Sequence, residues 1–351
     1  MTKSCALWVC ALLTGCHDGA TEPITGEPDP LPIDATPVDS PPPPPGVLGT
    51  VGDDHAVVCP NGAPRGSTCR QIRVTGCPGI ETEAIDATLA ILEPAVASRG
   101  TITHLKGGGG EGFQLGGADE YQRAGFRQVF VSWSADWEQT AASGIKTAAC
   151  RPATAIAWIF AEPTLHDSSR EAAFCGEGFS GGSGQLAYAL AHYGLGEYFD
   201  YVNALSGPPF TRIDLGCDGD APATATVCGA TVTMRLPDKV GPWENIQPPL
   251  VCGSTNVPAA ELARWKADSI GIGGVYDYPR TRVEFFDCTN NATTVTGMAQ
   301  ILYDQIASAT TGPGAAFHCF SEADHCQGEA LGDGAVVATR AMIDGCTPRH
   351  R

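Results

Sequence analysis

The sequence predicts an α/β fold with a mostly parallel, doubly wound sheet and a disulfide-rich cap insertion late in the chain. Two features of the 351 residues carry this prediction. Strand-like and helix-like segments alternate along most of the chain, which is the order that places helices on both faces of a parallel sheet. A short apolar strand also leads into a glycine-rich turn and then a helix at residues 172–192. We expect one large domain with a well-buried core.

The first 15 residues are expected to be a signal peptide. Lys3 precedes an apolar run at residues 5–13, and small residues follow up to Cys16. The apolar run is about half the ~20 residues that a transmembrane helix requires. Residues 13–16 also resemble the lipobox of bacterial lipoproteins. This resemblance implies that Cys16 becomes the lipidated first residue, with plain secretion as the alternative.

Residues 16–50 are expected to form a disordered tether. They are rich in proline and acidic residues, end near the proline run at 41–45, and contain few consecutive apolar residues. Such a segment buries too little surface to fold, and its prolines favour an extended polyproline II spacer. We therefore expect residues 51–351 to form the domain. Its expected place is the bacterial cell envelope, bound to a membrane through Cys16.

Charge limits the classes of partner. The net charge of −18 and the isoelectric point near 4.7 argue against nucleic acid and anionic membrane surfaces as binding partners. No CxxC motif or paired His/Cys spacing typical of a zinc site occurs in the sequence, so no metal is expected.

Cysteine usage predicts a disulfide framework. Three of the fifteen cysteines lie in the leader and at its end, which leaves an even number for an exported domain. We expect up to six bridges, with Cys59–Cys69 and Cys217–Cys228 as local pairs. The twelve cysteines are Cys59, Cys69, Cys77, Cys150, Cys175, Cys217, Cys228, Cys252, Cys288, Cys319, Cys326 and Cys346.

Periodicity assigns the elements of the domain. Short apolar runs indicate strands, and apolar residues at helical spacing indicate helices. The predicted strands are 71–75, 101–105, 127–133, 172–174, 201–205, 282–286 and 315–320. The predicted helices are 81–97, 118–124, 153–160, 185–192, 259–267, 298–307 and 334–343. Residues 210–265 interrupt this alternation, and we expect them to form a cap over the active-site edge.

The sequence Gly178-Phe179-Ser180-Gly181-Gly182 is a complete GxSxG motif between a strand and a helix. Small residues on either side of the serine allow the strand and the helix to approach closely around a strained turn. Ser180 is therefore the candidate nucleophile, and it requires a neighbouring imidazole to remove its proton. A flexible glycine loop is the alternative. Ser183 is expected in the first helical turn.

These residues resemble the α/β-hydrolase fold over residues 71–346. The resemblance is carried by the GxSxG motif, the glycine run at 107–110 and a late histidine, in the chain order serine, acid, histidine. It implies that His325, just past the last strand, is the base. His318 lies within that strand, His104 resembles the histidine before the glycine run of lipases and esterases, and His192 is expected to be structural.

The resemblance places the acid after the penultimate strand, where Asp287 lies. A carboxylate there fixes the tautomer of the histidine and stabilises its cation. Asn290 and Asn291 occupy positions where many members of the family carry the aspartate. Asp214, after the preceding strand, is the alternative acid, and Asp287 could instead cap a turn.

The glycine run is expected to form the oxyanion hole. Backbone N–H groups there would stabilise the negative charge that develops on the carbonyl oxygen as the serine attacks. By resemblance, the donors are Gly109 or Gly110 together with Gly181. A phosphate-binding loop is the alternative, but residues 107–112 lack the closing Gly-Lys-Ser/Thr.

The expected function is hydrolysis of a small-molecule or polymeric carboxylic ester through an acyl-serine intermediate, without a cofactor. A serine peptidase on the same fold would use the same three side chains. A binding lipoprotein that retains a hydrolase-like shell without catalysis is the third possibility.

Overall fold

A computed structural model describes most of the chain that follows the proline run. The described residues are 44–114, 116–140, 143–168, 172–221, 223–234, 236, 252–288, 294–320 and 333–349. The predicted signal peptide, Cys16 and most of the predicted tether lie outside them, so the boundaries proposed for those segments stay predictions.

A nine-stranded sheet runs through the centre of the domain, and a two-stranded hairpin stands apart from it. The strands are β1 Thr50–Val57, β2 Thr68–Thr75, β3 Ile85–Leu92, β4 Gly100–Leu105, β5 Phe126–Trp133, β6 Ala173–Phe179, β7 Tyr201–Leu205, β8 Thr224–Val227, β9 Ala230–Thr233, β10 Arg282–Cys288 and β11 Ala315–Phe320. The sheet order is β1-β2-β3-β5-β4-β6-β7-β10-β11. Pairing is antiparallel from β1 to β5 and parallel from β5 to β11. The predicted mostly parallel sheet is confirmed.

Helices cover both faces of the sheet. They are α1 Ala118–Arg123, α2 Ile145–Ala148, α3 Cys150–Ala161, α4 Gly181–Tyr193, α5 Ile213–Cys217, α6 Ala259–Asp268, α7 Thr294–Ala309 and α8 Asp333–Gly345. Leu186 of α4 and Leu302 of α7 belong to the main core on one face. Tyr121 of α1 and Met342 of α8 pack in a smaller core on the other face. Side chains on alternate positions of the buried strands supply both cores.

The predicted helix at 81–97 is wrong, because the middle of that segment, residues 85–92, forms β3. Ile85, Ala87, Leu89 and Ile91 all lie in the main core, at a spacing of two residues. The intervening residues include Ala90 and Leu92, which pack in a separate cluster across the sheet. A strand buried on both faces is almost continuously apolar, so its sequence also satisfies the spacing of a helix.

The predicted insertion contains α5, the β8–β9 hairpin and α6, and residues 237–251 lie outside the described part of the chain. Both strands of the hairpin pack on α7, and a Cβ on Gly297 of this helix would lie 3.2 Å from Val232 Cγ2 of β9. The hairpin is also tied to the sheet by the disulfide Cys228–Cys319, since Cys319 lies in β11.

Five disulfides join ten cysteines in the described residues: Cys59–Cys69, Cys77–Cys150, Cys175–Cys346, Cys217–Cys252 and Cys228–Cys319. The predicted Cys59–Cys69 pair is confirmed. The predicted Cys217–Cys228 pair is wrong, because the insertion folds so that each of these cysteines meets a partner far along the chain. Cys326 lies outside the described residues, and a sixth bridge stays a prediction.

Within the described residues, none of the helices combines the length and the apolar composition needed to cross a bilayer.

The disulfides differ in the length of chain that they close, and this predicts a ranking of their contributions to stability. Cys175–Cys346 spans 171 residues and Cys59–Cys69 spans 10. Loop-closure entropy then gives about 5 kcal/mol for the long bridge and about 3 kcal/mol for the short one. We expect Cys175→Ala/Cys346→Ala to lower the free energy of unfolding in urea more than the matched control Cys59→Ala/Cys69→Ala. An equal or reversed ranking would contradict this.

Candidate active site

Ser180 occupies a strained turn between β6 and α4. β6 ends at Phe179 and α4 begins at Gly181, so Ser180 is the single residue that connects them. Its backbone has φ 52° and ψ −116°, and a positive φ is rare for a residue with a side chain. Ser180 is partly exposed, whereas the residues of β6 before Phe179 are buried. Backbone strain that is held beneath an accessible side chain is typical of functional positions.

The two outer glycines of the motif are required by close packing. A Cβ on Gly178 would overlap the carbonyl oxygen of Gly182, and a Cβ on Gly182 would overlap the carbonyl oxygen of Leu105 at the end of β4. The strand, the helix and the neighbouring strand therefore meet through backbone atoms at this point. Ser183 lies in the first turn of α4, as predicted, and its hydroxyl donates to the carbonyl oxygen of Ser180 at 2.5 Å.

The glycine run lies directly against Ser180. A Cβ on Gly107 would lie 3.0 Å from the carbonyl oxygen of Phe179 and 3.1 Å from Ser180 Cβ. A Cβ on Gly181 would overlap the carbonyl oxygen of Gly108 and lie 3.0 Å from the Gly108 nitrogen. The backbone of Gly107 and Gly108 is thus the part of the run that touches the turn.

The carbonyl groups of Gly109 and Gly110 accept hydrogen bonds from the backbone at Trp137 and Trp133, not from the Ser180 turn. Trp137 N–H donates to the carbonyl oxygen of Gly109 at 3.1 Å, and Trp133 N–H donates to that of Gly110 at 3.1 Å. The Gly110 N–H itself donates to the carbonyl oxygen of Gly107 at 3.3 Å, which closes a turn within the run. This bond occupies the Gly110 amide, so the geometry does not support Gly110 as an oxyanion donor. The contact between Gly108 and Gly181 adds Gly108, which sequence analysis missed, to the candidate donors Gly109 and Gly181.

A glutamine that sequence analysis missed connects the helix to the loop. Gln185 of α4 is fully buried, and its Oε1 accepts a hydrogen bond from Trp133 Nε1 at 2.9 Å. Its Nε2 donates to the carbonyl oxygen of Lys106 at 3.4 Å. A buried side-chain amide that uses both ends fixes the loop relative to the turn. Its position five residues after Ser180, near the start of a buried helix, was the available signal.

The carboxyl ends of three neighbouring strands lie side by side at this edge of the sheet. Ser180 N–H donates to the carbonyl oxygen of Leu205 at 2.8 Å, and Ser206 N–H donates to that of Phe286 at 2.9 Å. These bonds link β6 to β7 and β7 to β10 just past the last paired residues. Asp287 follows Phe286 in β10, so it faces the same edge as Ser180, two strands away.

Asp287 is an acid that the fold has buried. Its side chain is 1% exposed, and among the described residues no arginine, lysine or histidine forms an ion pair with it. Burial raises the pKa of Asp287 to about 8, and a hydrogen bond with Thr296 opposes this shift. A carboxylate in such a place is stabilised by a cation that forms beside it.

Asp214, the alternative acid, is already paired. Arg212 Nε donates to its Oδ1 at 2.9 Å, and a second guanidinium nitrogen donates to its Oδ2 at 2.7 Å. Both carboxylate oxygens of Asp214 therefore accept from one guanidinium, in the bidentate geometry that arginine and carboxylates favour. Of the two candidate acids, Asp214 forms an ion pair with an arginine, whereas Asp287 forms none with the described residues.

His325, Asn290 and Asn291 lie outside the described residues. The main rival, His318, is engaged within the sheet. Its Nε2 lies 2.8 Å from Glu284 Oε2, and its ring stacks on Phe286 with the ring centroids 4.5 Å apart.

Two further histidines named from the sequence, His192 and His104, are held by neighbours. His192 Nε2 lies 3.1 Å from the carbonyl oxygen of Ile270, and burial lowers the pKa of His192 to about 4. His104 is 1% exposed, and its Nδ1 lies 3.2 Å from Glu177 Oε1. Both side chains are therefore engaged with the fold.

The raised pKa of Asp287 predicts a pH-dependent cost in stability. Between its ordinary pKa of 3.8 and the folded value of about 8, the folded chain keeps a proton that the unfolded chain has lost. Stability must then fall as pH rises through this interval. We expect Asp287→Asn, which does not titrate, to gain free energy of unfolding relative to the wild type from pH 4 to pH 8.

Urea unfolding of both proteins at each pH measures this difference. Asp214→Asn is the matched control, because it removes the carboxylate charge of the ion pair with Arg212 and should be less stable than the wild type at pH 8. A difference between Asp287→Asn and the wild type that is constant from pH 4 to pH 8 would contradict the burial effect.

No protein-family model and no curated protein sequence matches the chain. Solved structures do. The chain is similar to acetyl xylan esterase 1 from Thermoanaerobacterium sp. JW/SL YS485, with 12% sequence identity, a TM-score of 0.51, and coverage of 85% of this chain and 88% of that one.

Two further structures resemble the chain less closely. The carboxylesterase EstE1 from a metagenomic library has 14% identity and a TM-score of 0.48, over 80% of this chain and 90% of that one. The acylaminoacyl peptidase of Pyrococcus horikoshii has 10% identity and a TM-score of 0.47, over 76% of this chain and 40% of that one. Taken with the sheet order and the position of the strained turn, the similarity to the acetyl xylan esterase shows that this chain has the α/β-hydrolase fold.

Proposed function

We propose that the protein is an extracytoplasmic serine hydrolase that cleaves carboxylic esters through an acyl-serine intermediate. The observation that carries the proposal is the placement of Ser180. Its hydroxyl is presented from a strained, partly exposed turn, against which the Gly107–Gly108 backbone is packed. Nucleophile, oxyanion donors and a buried acid are the parts that acyl transfer requires.

In the proposed reaction, the Ser180 hydroxyl oxygen forms a bond to the ester carbonyl carbon while His325 takes the hydroxyl proton. The tetrahedral intermediate collapses, the alcohol leaves with that proton, and water repeats the sequence on the acyl-enzyme. Asp287 orients His325 and stabilises the imidazolium. Burial raises the pKa of Asp287 to about 8 when no cation lies beside it, and the positive charge that forms on His325 at contact distance would favour the carboxylate form that this role requires.

The backbone supplies the proposed oxyanion hole. Gly181 is the first residue of α4, where the N–H groups of a helix have no partner within the helix. The Gly108 nitrogen lies beside Gly181, and Gly109 follows it in the run. Two amides in this position would each contribute about 3 kcal/mol to the stability of the transition state. No cofactor is required by this reaction.

A serine peptidase remains the second candidate, because the same machinery cleaves amides. The first test of substrate class is therefore a panel of esters and peptide amides.

We propose that Cys16 anchors the protein to a membrane of the bacterial cell envelope and that the tether carries the domain away from that surface.

The nucleophile is tested with a fluorophosphonate probe, whose phosphorus is attacked by an activated serine with loss of fluoride. We expect stoichiometric labelling of the wild type and none of Ser180→Ala. Ser183→Ala is the matched control, since Ser183 lies three residues away, buried in the first turn of α4, and the variant should keep its labelling. Intact-protein mass spectrometry reads the adduct. Labelling that persists in Ser180→Ala would refute the assignment.

The base is tested by comparing two nearby histidines. We expect His325→Ala to lower kcat for an activated ester by at least about 10³-fold, because the Ser180 hydroxyl would then have no proton acceptor. His318→Ala is the control, because His318 bonds to Glu284 within the sheet, and it should stay within about threefold of the wild type. A large loss of kcat in His318→Ala and a small one in His325→Ala would contradict the assignment and identify His318 as the base.

A further inference from the structure

Four neighbouring strands each bury one polar residue at the same level of the sheet. His104 of β4 is paired in register with Glu177 of β6, Glu177 with Asn203 of β7, and Asn203 with Glu284 of β10. We call these four residues the polar row. Their exposed fractions are 1%, 2%, 0% and 6%, so the row lies inside the protein. Polar side chains at this depth are costly unless they bond to one another or to the backbone.

The polar row has a fixed relation to the candidate site. Three residues beyond its members, in the same order, are Gly107, Ser180, Ser206 and Asp287. At the rise of a strand, three residues correspond to about 10 Å. Each strand that carries part of the site therefore holds one member of the row at the same depth below it.

Glu177 connects two elements through its carboxylate. Its Oε1 lies 3.2 Å from His104 Nδ1, and its Oε2 accepts a hydrogen bond from the Tyr121 hydroxyl at 2.5 Å. Burial raises the pKa of Tyr121 well above its usual value, so this hydroxyl stays protonated and donates. The His104 ring also stacks on Phe130 of β5, with the ring centroids 4.4 Å apart.

The bond between His104 and Glu177 joins the strand before the glycine run to the strand before the nucleophile. A carboxylate only accepts, so His104 donates from Nδ1. A shift of one residue between β4 and β6 would separate these groups and leave both buried without their partner. The same shift would move the Gly107–Gly108 backbone away from Ser180.

We propose that His104 and Glu177 are positioning residues, whose hydrogen bond aligns the Gly107–Gly108 backbone with the Ser180 turn. This inference rests on the proposed function where it concerns catalysis, and on the register of the strands where it concerns structure. The bond between Tyr121 and Glu177 joins α1 to β6 and leaves the alignment of the two strands untouched.

The test compares two variants that each remove one donor to the same carboxylate and keep an aromatic ring. We expect His104→Phe to lower kcat for an activated ester at least tenfold with KM nearly unchanged. Tyr121→Phe is the matched control and should keep kcat within about twofold, even if its midpoint of urea unfolding falls as far as that of His104→Phe. His104→Gln restores a side-chain amide donor and should recover most of the lost kcat.

Hydrogen exchange gives a second measurement that does not depend on activity. In His104→Phe, peptides covering residues 105–112 and 178–182 should exchange at least tenfold faster than in the wild type, and in Tyr121→Phe they should not. If the wild type hydrolyses no ester, the proposed function fails while the exchange comparison still decides the positioning role.

Wild-type kcat and exchange in a folded His104→Phe would overturn the inference. So would equal losses of kcat in the two phenylalanine variants, since that result indicates a general effect of stability. Should His104→Phe not fold, His104→Met carries the same comparison with Tyr121→Phe, because its unbranched side chain fills the site without a donor to Glu177.

Discussion

The candidate site depends on the contact of three backbones around Ser180. The end of β4, the Gly107–Gly108 segment and the first turn of α4 approach so closely that a single Cβ at Gly178, Gly181 or Gly182 would overlap a carbonyl oxygen. Only glycine permits this approach, and the approach itself holds Ser180 at φ 52°. The strain of the turn and the position of the amides beside it therefore have one common cause.

Polar groups are buried beneath and beside the site, and each lowers the stability of the fold unless it has a partner. Asp287 is held where its ionisation is costly, which suits an acid that must stabilise a cation and penalises the folded state at neutral pH. The polar row is different, because Glu177 finds donors on both sides within the protein. The disulfide Cys175–Cys346 reinforces the same strand, since Cys175 lies in β6 two residues before Glu177.

The features that could be predicted from the sequence are those that depend on residues close together in the chain. The Ser180 turn could be predicted because the steric demand falls on glycines within five residues, and the sheet could be predicted because its strands alternate with helices. β3 was misassigned because a strand buried on both faces also satisfies helical spacing. Four consecutive glycines have identical side chains, so only the fold could show that Gly108 touches the turn. The polar row was missed because its members are isolated in four separate strands, and only their register brings them together.

The most direct test of the account is a crystal structure of the protein after reaction with a phosphonate ester. The account predicts a covalent bond from Ser180 Oγ to phosphorus, with the phosphoryl oxygen about 2.7–3.1 Å from the Gly181 nitrogen and from the nitrogen of Gly108 or Gly109. It also predicts the His325 ring between Ser180 and Asp287. An adduct on another residue, or a phosphoryl oxygen turned away from the glycine run, would contradict it.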